Sequence, residues 1–466
     1  MIALMLLSAA GASRAHAYPA MQPSETGAII TVDTFGDWVQ EDGNCSLREA
    51  ILAANTNASA DTCPAGSGIE IDRIVLPAGF YPISRAGEDD TAQYGDLDIL
   101  DDVVILGSGR EYTIVDGGDI DRVFHIAAAV EVVIQHLTIQ NGRILDEDSG
   151  GGGVLNWGTL TLRDVTLQGN HAFLVGGGLL NWSHLPSTAM SYVPSPTSPL
   201  SSARSWSQEP SSLRDAFLKD NFTARLASSS VYTATATVVN SFLTDNEAGD
   251  GGAIFNTLDS QVYLNNSTLS ANSAITETGG ALDNAGVGSV WNVTISGNDA
   301  LLGGGGIFND GTLEIESSTI VNNASGDPGA AGNVQALNLT RFSNSLVANH
   351  ASGSNCIGDA DDLVSSGYNL DSGSSCRFIH PEDVTGTGEL TLGSLADNGG
   401  LTPTHALLLG SPAIDVGDDG NCPTWDQRGA VRPADGTGDD IAHCDIGAYE
   451  FDAEFPELLF VPLIHR

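Results

Sequence analysis

Short runs in which Leu, Ile and Val alternate with polar residues recur along the chain, each set between glycine pairs and asparagines. One motif appears as GGGVLN (151–156), GGGLLN (176–181), GGAIFN (251–256), GGALDN (279–284) and GGGIFN (304–309). A second follows at a fixed offset, as in GTLTLRDVTLQGN ending at Asn170 and SQVYLNNSTLSAN ending at Asn272. From Asn246 onward the closing asparagines Asn272, Asn298, Asn323 and Asn349 are 26, 26, 25 and 26 residues apart, and VVIQHLTIQNG sets Asn141 in the same series. A period this regular marks a solenoid. The Thr-Leu-x-Leu runs alternate with period 2, and the units are too short and too rich in glycine for paired helices. Each unit is therefore one coil of β-strands. The fold class read from this pattern is all-β: a single right-handed parallel β-helix whose inward Leu, Ile and Val stack at ~4.8 Å per coil, with Gly-Gly and Asn at the corners. The asparagines tolerate the left-handed conformation and bond along the stack, a structural role.

Where the period fails, other units begin. Residues 74–83, 97–107 and 112–118 continue the strand pattern without the glycines, so residues 73–350, less an insertion at 183–232, form the rod. The insertion is rich in Ser and Pro and carries the chain's one lysine, Lys219. It reads either as a partner-contacting flap or as a plain mobile loop. A solenoid needs covers at its ends. Ser46-Leu47-Arg48-Glu49 is a capping box opening an amphipathic helix that can plug the first coil, within an N-terminal unit spanning 18–72. Residues 351–453 lose the period, gain four cysteines and read as a disulfide-stapled end domain, followed by an apolar tail at 454–466.

Composition narrows the compartment and partners. The chain has 466 residues, 59 Asp and Glu against 17 Lys and Arg, and a formal net charge of −42, which excludes nucleic acid as a partner. Residues 2–12 are apolar and Ala15-His16-Ala17 is a small-x-small cleavage signature, so 1–17 reads as a secretory signal peptide. No other stretch is long and apolar enough to span a bilayer, so no transmembrane span is expected. Cys45 with Cys63, Cys356 with Cys376, and Cys422 with Cys444 form three sequence-local pairs, the usage of an oxidising compartment. No Cys-x-x-Cys occurs and the histidines are scattered, which argues against zinc as the reason for these cysteines.

Three segments resemble known families. DGNCSLREAILAAN (42–55) resembles the CSLREA domain at the start of exported bacterial surface proteins. NGGLTPTHALLLGSPAIDVG (398–417), DQRGAVRP (426–433) and CDIGAYEF (444–451) resemble the choice-of-anchor Q C-terminal domain. Between them, GGAIFN with FLTDN (242–246) is similar to the repeats of polymorphic outer membrane proteins and other pectin-lyase-like β-helices. The resemblance implies a secreted or cell-surface bacterial protein, with no chemistry to carry over to particular residues.

Candidate chemistry is sparse. From Thr233 to Thr340 there is no Lys, Arg or His, so the central coils lack a cationic base for lyase chemistry on uronic acids. Asp283 and Asp310 fall at nearly equivalent corners and are the candidate carboxylate pair for hydrolysis, against the plainer reading of chance neighbours in an acidic chain. Trp157 and Trp182 follow equivalent asparagines and are candidates for a sugar platform, against corner packing. Asp435, Asp439 and Asp440 stand on a glycine-flexed loop as candidate ligands for calcium, the one cofactor considered, against solvated acidic turns. His405 reads as a packed structural residue, and Asp426 with Arg428 as a local ion pair. The functional expectation is a non-catalytic β-helix serving adhesion, surface coating or partner binding, its partner a cell-envelope or extracellular protein or a polysaccharide. The alternative is a carbohydrate-active enzyme or polysaccharide-binding rod.

Overall fold

The computed structural model describes residues 27–87, 89–145, 150–183, 233–349 and 351–456. The expected signal peptide, all but one residue of the insertion, and most of the apolar tail lie outside the described residues.

The chain winds into a right-handed parallel β-solenoid of about nine turns. Among the described residues every strand-to-strand ladder is parallel, and three sheets of twenty, nine and six strands run along the rod. Alternation sends every second side chain inward, and unbroken register stacks like on like. One inward column reads Ile134, Leu162, Val238, Leu264, Val290, Ile315, Phe342. A second reads Leu167, Leu243, Leu269, Ile295, Ile320, Val347. All of these are buried, and each such side chain contributes roughly 1.5–3 kcal/mol relative to exposure.

Polar ladders line two corners. Asn156, Asn181, Asn256, Asn284 and Asn309 each pass a side-chain N–H to the amide oxygen of the next at 2.7 Å, the last donating at 2.9 Å to the Thr340 hydroxyl. A second run joins Asn170, Asn246, Asn272, Asn298, Asn323 and Asn333 at 2.9–3.0 Å. These buried amides are satisfied by one another, which is the condition for burying them at all. Asn141 and Asn349 stand one residue off this series, at left-handed corners with φ of 54° and 51°. Gly142 rather than Asn141 faces Asn170, and Asn333 takes the place the spacing gave to Asn349.

The glycine pairs have a specific geometric cause. Gly151, Gly176, Gly251, Gly279 and Gly304 all have φ between 59° and 75°, and a Cβ on any of them would come within 2.5–2.8 Å of a carbonyl oxygen three residues on. Only glycine fits this turn.

The N-terminal end is closed by the helix Leu47–Thr56, whose Leu47, Ala50, Ile51 and Ala54 join the main core. Ser46 and Glu49 form the expected capping box. Arg48, fully buried, donates to both carboxylate oxygens of Asp37 and to the carbonyls of Ala92, Gly95 and Asp96. The Cys45–Cys63 bond ties the helix start to the loop beyond its end. The whole Cys-Ser-Leu-Arg-Glu-Ala run is thus accounted for by closure of the rod.

At the other end the ladder continues past residue 350, where the lost period suggested that it stops. Ser354–Ile357, Leu363–Ser365 and Leu370–Asp371 pair in parallel with the preceding coil, and Val384–Thr385 pairs with Leu370–Asp371. Cys356–Cys376 closes inside this coil. Residues 390–451 do more than cap the end, because they fold back along one flank of the rod. Gln427 receives the Thr294 hydroxyl at 2.6 Å and donates to the hydroxyls of Thr268 and Thr402. Thr402 donates to the Asn266 carbonyl, and Trp425 accepts from Asn292. Inside the segment Asp445, Glu450, Asp426, Arg428 and Arg432 form a buried polar network, stapled nearby by Cys422–Cys444. Asp426 and Arg428 pair at 2.7 Å, and Arg428 also lies 3.6 Å over the Tyr449 ring. Among the described residues no helix is long and apolar enough to cross a membrane.

Candidate functional site

The residues singled out from the sequence do not converge. Asp283 pairs in register with Phe255 and Phe308, in an outward column that also holds Leu155 and Leu180. The glycine turns fold over this column, so Asp283 is fully buried and receives the Thr278 hydroxyl at 2.8 Å. Asp310 lies two residues beyond the Asp283 level, partly exposed, and accepts from the Asn338 amide. The two candidate carboxylates do not face each other: Asp283 is sealed from solvent and the two occupy different columns. Trp157 and Trp182 are neighbours, but their rings meet edge to face at 87° and 6.0 Å and pack against Leu155, Leu180 and Phe255. Perpendicular rings offer no flat platform.

The acidic loop spends its carboxylates on itself. Asp435 accepts from the N–H groups of Gly438, Asp439 and Asp440, and Asp439 accepts from Ile441. Desolvation works to raise the Asp435 carboxyl, but these backbone donors outweigh it and hold it below its ordinary range. Among the described residues the side-chain oxygens of Asp435, Asp439 and Asp440 do not gather within 4.8 Å of one another. His405 is packed as expected: Nδ1–H donates to the Gly393 carbonyl and Nε2 accepts from Ser296, each at 2.7 Å. Burial lowers its pKa, so the ring is neutral in this setting.

A different constellation emerges at the bends. Where each coil turns between two strand faces, one residue takes the left-handed conformation: His136, Asp164, Asn240, Asn266, Asn292, Ser317 and Asn344, with φ of 47–59°. Register places them in one column. Asparagine is the usual occupant because its short amide tolerates this conformation, and His and Asp are among the few alternatives. The first two coils of this column carry His and Asp instead, and put His136 Nδ1 at 2.7 Å from Asp164 Oδ2. With the carboxylate accepting, Nδ1 carries the proton and Nε2 is left as a proton acceptor. The imidazole is 42% exposed and Asp164 17%.

Arg110 completes the group from the preceding coil. Its backbone carbonyl is held by the Thr138 hydroxyl at 2.7 Å, and its Nε lies 3.6 Å from Asp164 Oδ1. The guanidinium also donates to the carbonyls of Asn240 and Leu401. The latter belongs to the C-terminal segment, whose cover of the bend column ends here. Between the two lies a cleft of about 350 Å³, lined by Arg110, Glu111, Tyr112 and Asp164 on the rod and by Asp397 and Leu401 among others on the cover. Tyr112 is 63% exposed at its edge. Carboxylates that accept from hydroxyls, an open aromatic face and one fixed cation are the donor set of a polyhydroxylated ligand.

This group lies outside the central coils 233–340, where Lys, Arg and His are absent from the sequence. Its signal was present: QHLT and RDVT stand where later coils have VNSF, NNST and WNVT.

No protein-family model matches the sequence, and no curated protein matches it. Among solved structures, the A-module of the mannuronan C-5 epimerase AlgE6 of Azotobacter vinelandii is similar at 14% identity and a TM-score of 0.33, over 76% of this chain and 94% of that one.

Proposed function

We propose that the protein is an exported, surface-associated β-helix that binds a polyhydroxylated polymer, a polysaccharide, in the cleft between the Gly109–Tyr112 bend and the 397–403 loop. The observation that carries this reading is the composition of that cleft: Tyr112 open to solvent beside Glu111, Asp164 and Asp397, with Arg110 immobilised at its wall. Three closed disulfides support an oxidising compartment. The likeness of the N-terminal cap to CSLREA domains and of 398–451 to choice-of-anchor Q domains supports export and envelope association. A net charge of −42 favours a neutral polymer over a polyanionic one, because an acidic surface repels the latter before contact. The ligand then exchanges water for carboxylate acceptors and lays an apolar sugar face on the tyrosine ring.

A second reading, catalysis on the bound sugar, is favoured by one feature, the His136–Asp164 pair beside Arg110, in which Asp164 and Arg110 line the cleft and His136 stands behind them. An oriented imidazole near a fixed cation is what proton abstraction next to a carboxylate requires. Incubation with neutral and uronate oligosaccharides, followed by mass spectrometry and titration calorimetry, separates the two. Binding without product supports the first reading. Product that disappears in His136→Gln while binding persists replaces it with the second, and neither binding nor product refutes both.

A further inference from the structure

We infer that Asp90, Asp98 and His125 form a binding site for a divalent transition-metal ion of the zinc class, which staples the loop bearing Asp90 to the first coils of the rod. The site is independent of the cleft. One donor atom from each of the three residues lies within 4.8 Å of the donor atoms of the other two.

Asp98 and His125 are paired in register on adjacent coils, at the head of the outward column that becomes apolar at Leu155 and Leu180. Apolar residues would satisfy that column, so an acid and an imidazole at its head call for a separate explanation. His125 Nδ1 lies 2.9 Å from Asp98 Oδ1, with the two side chains 9% and 1% exposed. The other ring nitrogen, Nε2, is buried and has no hydrogen-bond partner among the described residues. A buried imidazole with one nitrogen unserved is costly.

Charge points the same way. Asp37, Asp90, Asp96, Asp98 and Asp121 gather in this region, and the neighbouring cations are Arg48, committed to Asp37, and Arg122, 2.9 Å from Asp96. A divalent cation bound here offsets Asp90 and Asp98. Mixed imidazole and carboxylate donors suit zinc and its first-row neighbours, whereas calcium and magnesium prefer all-oxygen sets.

The supporting shell is already built. Asp98 Oδ2 accepts from the Ala92 N–H at 2.8 Å, and its carbonyl accepts from Asn55 at the end of the cap helix. The loop bearing Asp90 is gripped by Arg48 through the carbonyls of Ala92, Gly95 and Asp96. Such outer contacts orient ligands and fix affinity.

The test is titration of the full-length, EDTA-treated protein with zinc alone, read by calorimetry and by thermal melting, with calcium and magnesium as comparison ions. The expected result is one zinc equivalent bound with a rise in melting temperature. In Asp90→Asn, an exposed position that leaves the metal-free melting temperature unchanged, affinity falls at least tenfold. In His125→Gln the zinc-dependent rise is lost. Cobalt(II) in place of zinc gives visible absorption bands that disappear in His125→Gln. No zinc uptake, uptake unchanged in both variants, or stabilisation by calcium in preference to zinc would overturn the assignment.

Discussion

His136 and Asp164 occupy the same bend on successive coils, both in the left-handed conformation, and share a 2.7 Å hydrogen bond. In later coils that bend carries asparagine or serine, and the returning C-terminal segment covers it. The open end of the cover and the His136–Asp164 pair therefore coincide in space.

The cap depends on one arginine. Replacing Arg48 by Met leaves the Asp37 carboxylate buried beside its neighbours without its guanidinium, and loss of one partner of a buried pair costs about 3–5 kcal/mol. Lysine rescues little of this, because a single ammonium cannot serve the two Asp37 oxygens and three carbonyls together. Denaturant unfolding of Arg48→Met and Arg48→Lys, with cap exposure followed by hydrogen exchange, checks both outcomes.

The asparagine ladder is expected to be intolerant in its middle. Asn272→Ala removes the acceptor of Asn246 and the donor to Asn298, along with the bond to the Leu243 carbonyl. Leaving such buried groups unsatisfied costs on the order of 3 kcal/mol. Substitution at Asn338, outside the ladder and exposed, serves as control and is expected to shift the denaturation midpoint little.

Asp445 makes stability fall with rising pH. Burial, and then the neighbouring Glu450, push its carboxyl up from the ordinary 3.8 to about 8. The folded state thus holds this proton where the unfolded chain has released it. Its contribution is fully present below about pH 4 and is lost progressively as pH rises through 8. Melting temperatures measured between pH 5 and 8.5 should decline less steeply in Asp445→Asn than in the parent chain.

Much of the architecture was legible because a solenoid repeats its own corner chemistry. Gly279 and Asn284 announce the same turn as Gly304 and Asn309, and Ser46 with Glu49 announces the capping helix. The candidate site was not, for two physical reasons. Strand alternation shows which side chains point outward but not what covers them, so Asp283 looked available when the glycine turns seal it. The returning segment has no period, and its contacts join residues more than a hundred positions apart, as between Thr294 and Gln427. The proximity of Arg110 to Leu401 follows from that docking alone.

The most direct measurement is titration calorimetry of the full chain against soluble neutral oligosaccharides, with Tyr112→Ala and Arg110→Met as variants. At least one neutral oligosaccharide is expected to bind. Tyr112→Ala is expected to weaken this binding roughly tenfold or more, about 1.4 kcal/mol, with no change in melting temperature. Absence of binding across the panel, or binding that survives both substitutions, would contradict a sugar site in this cleft.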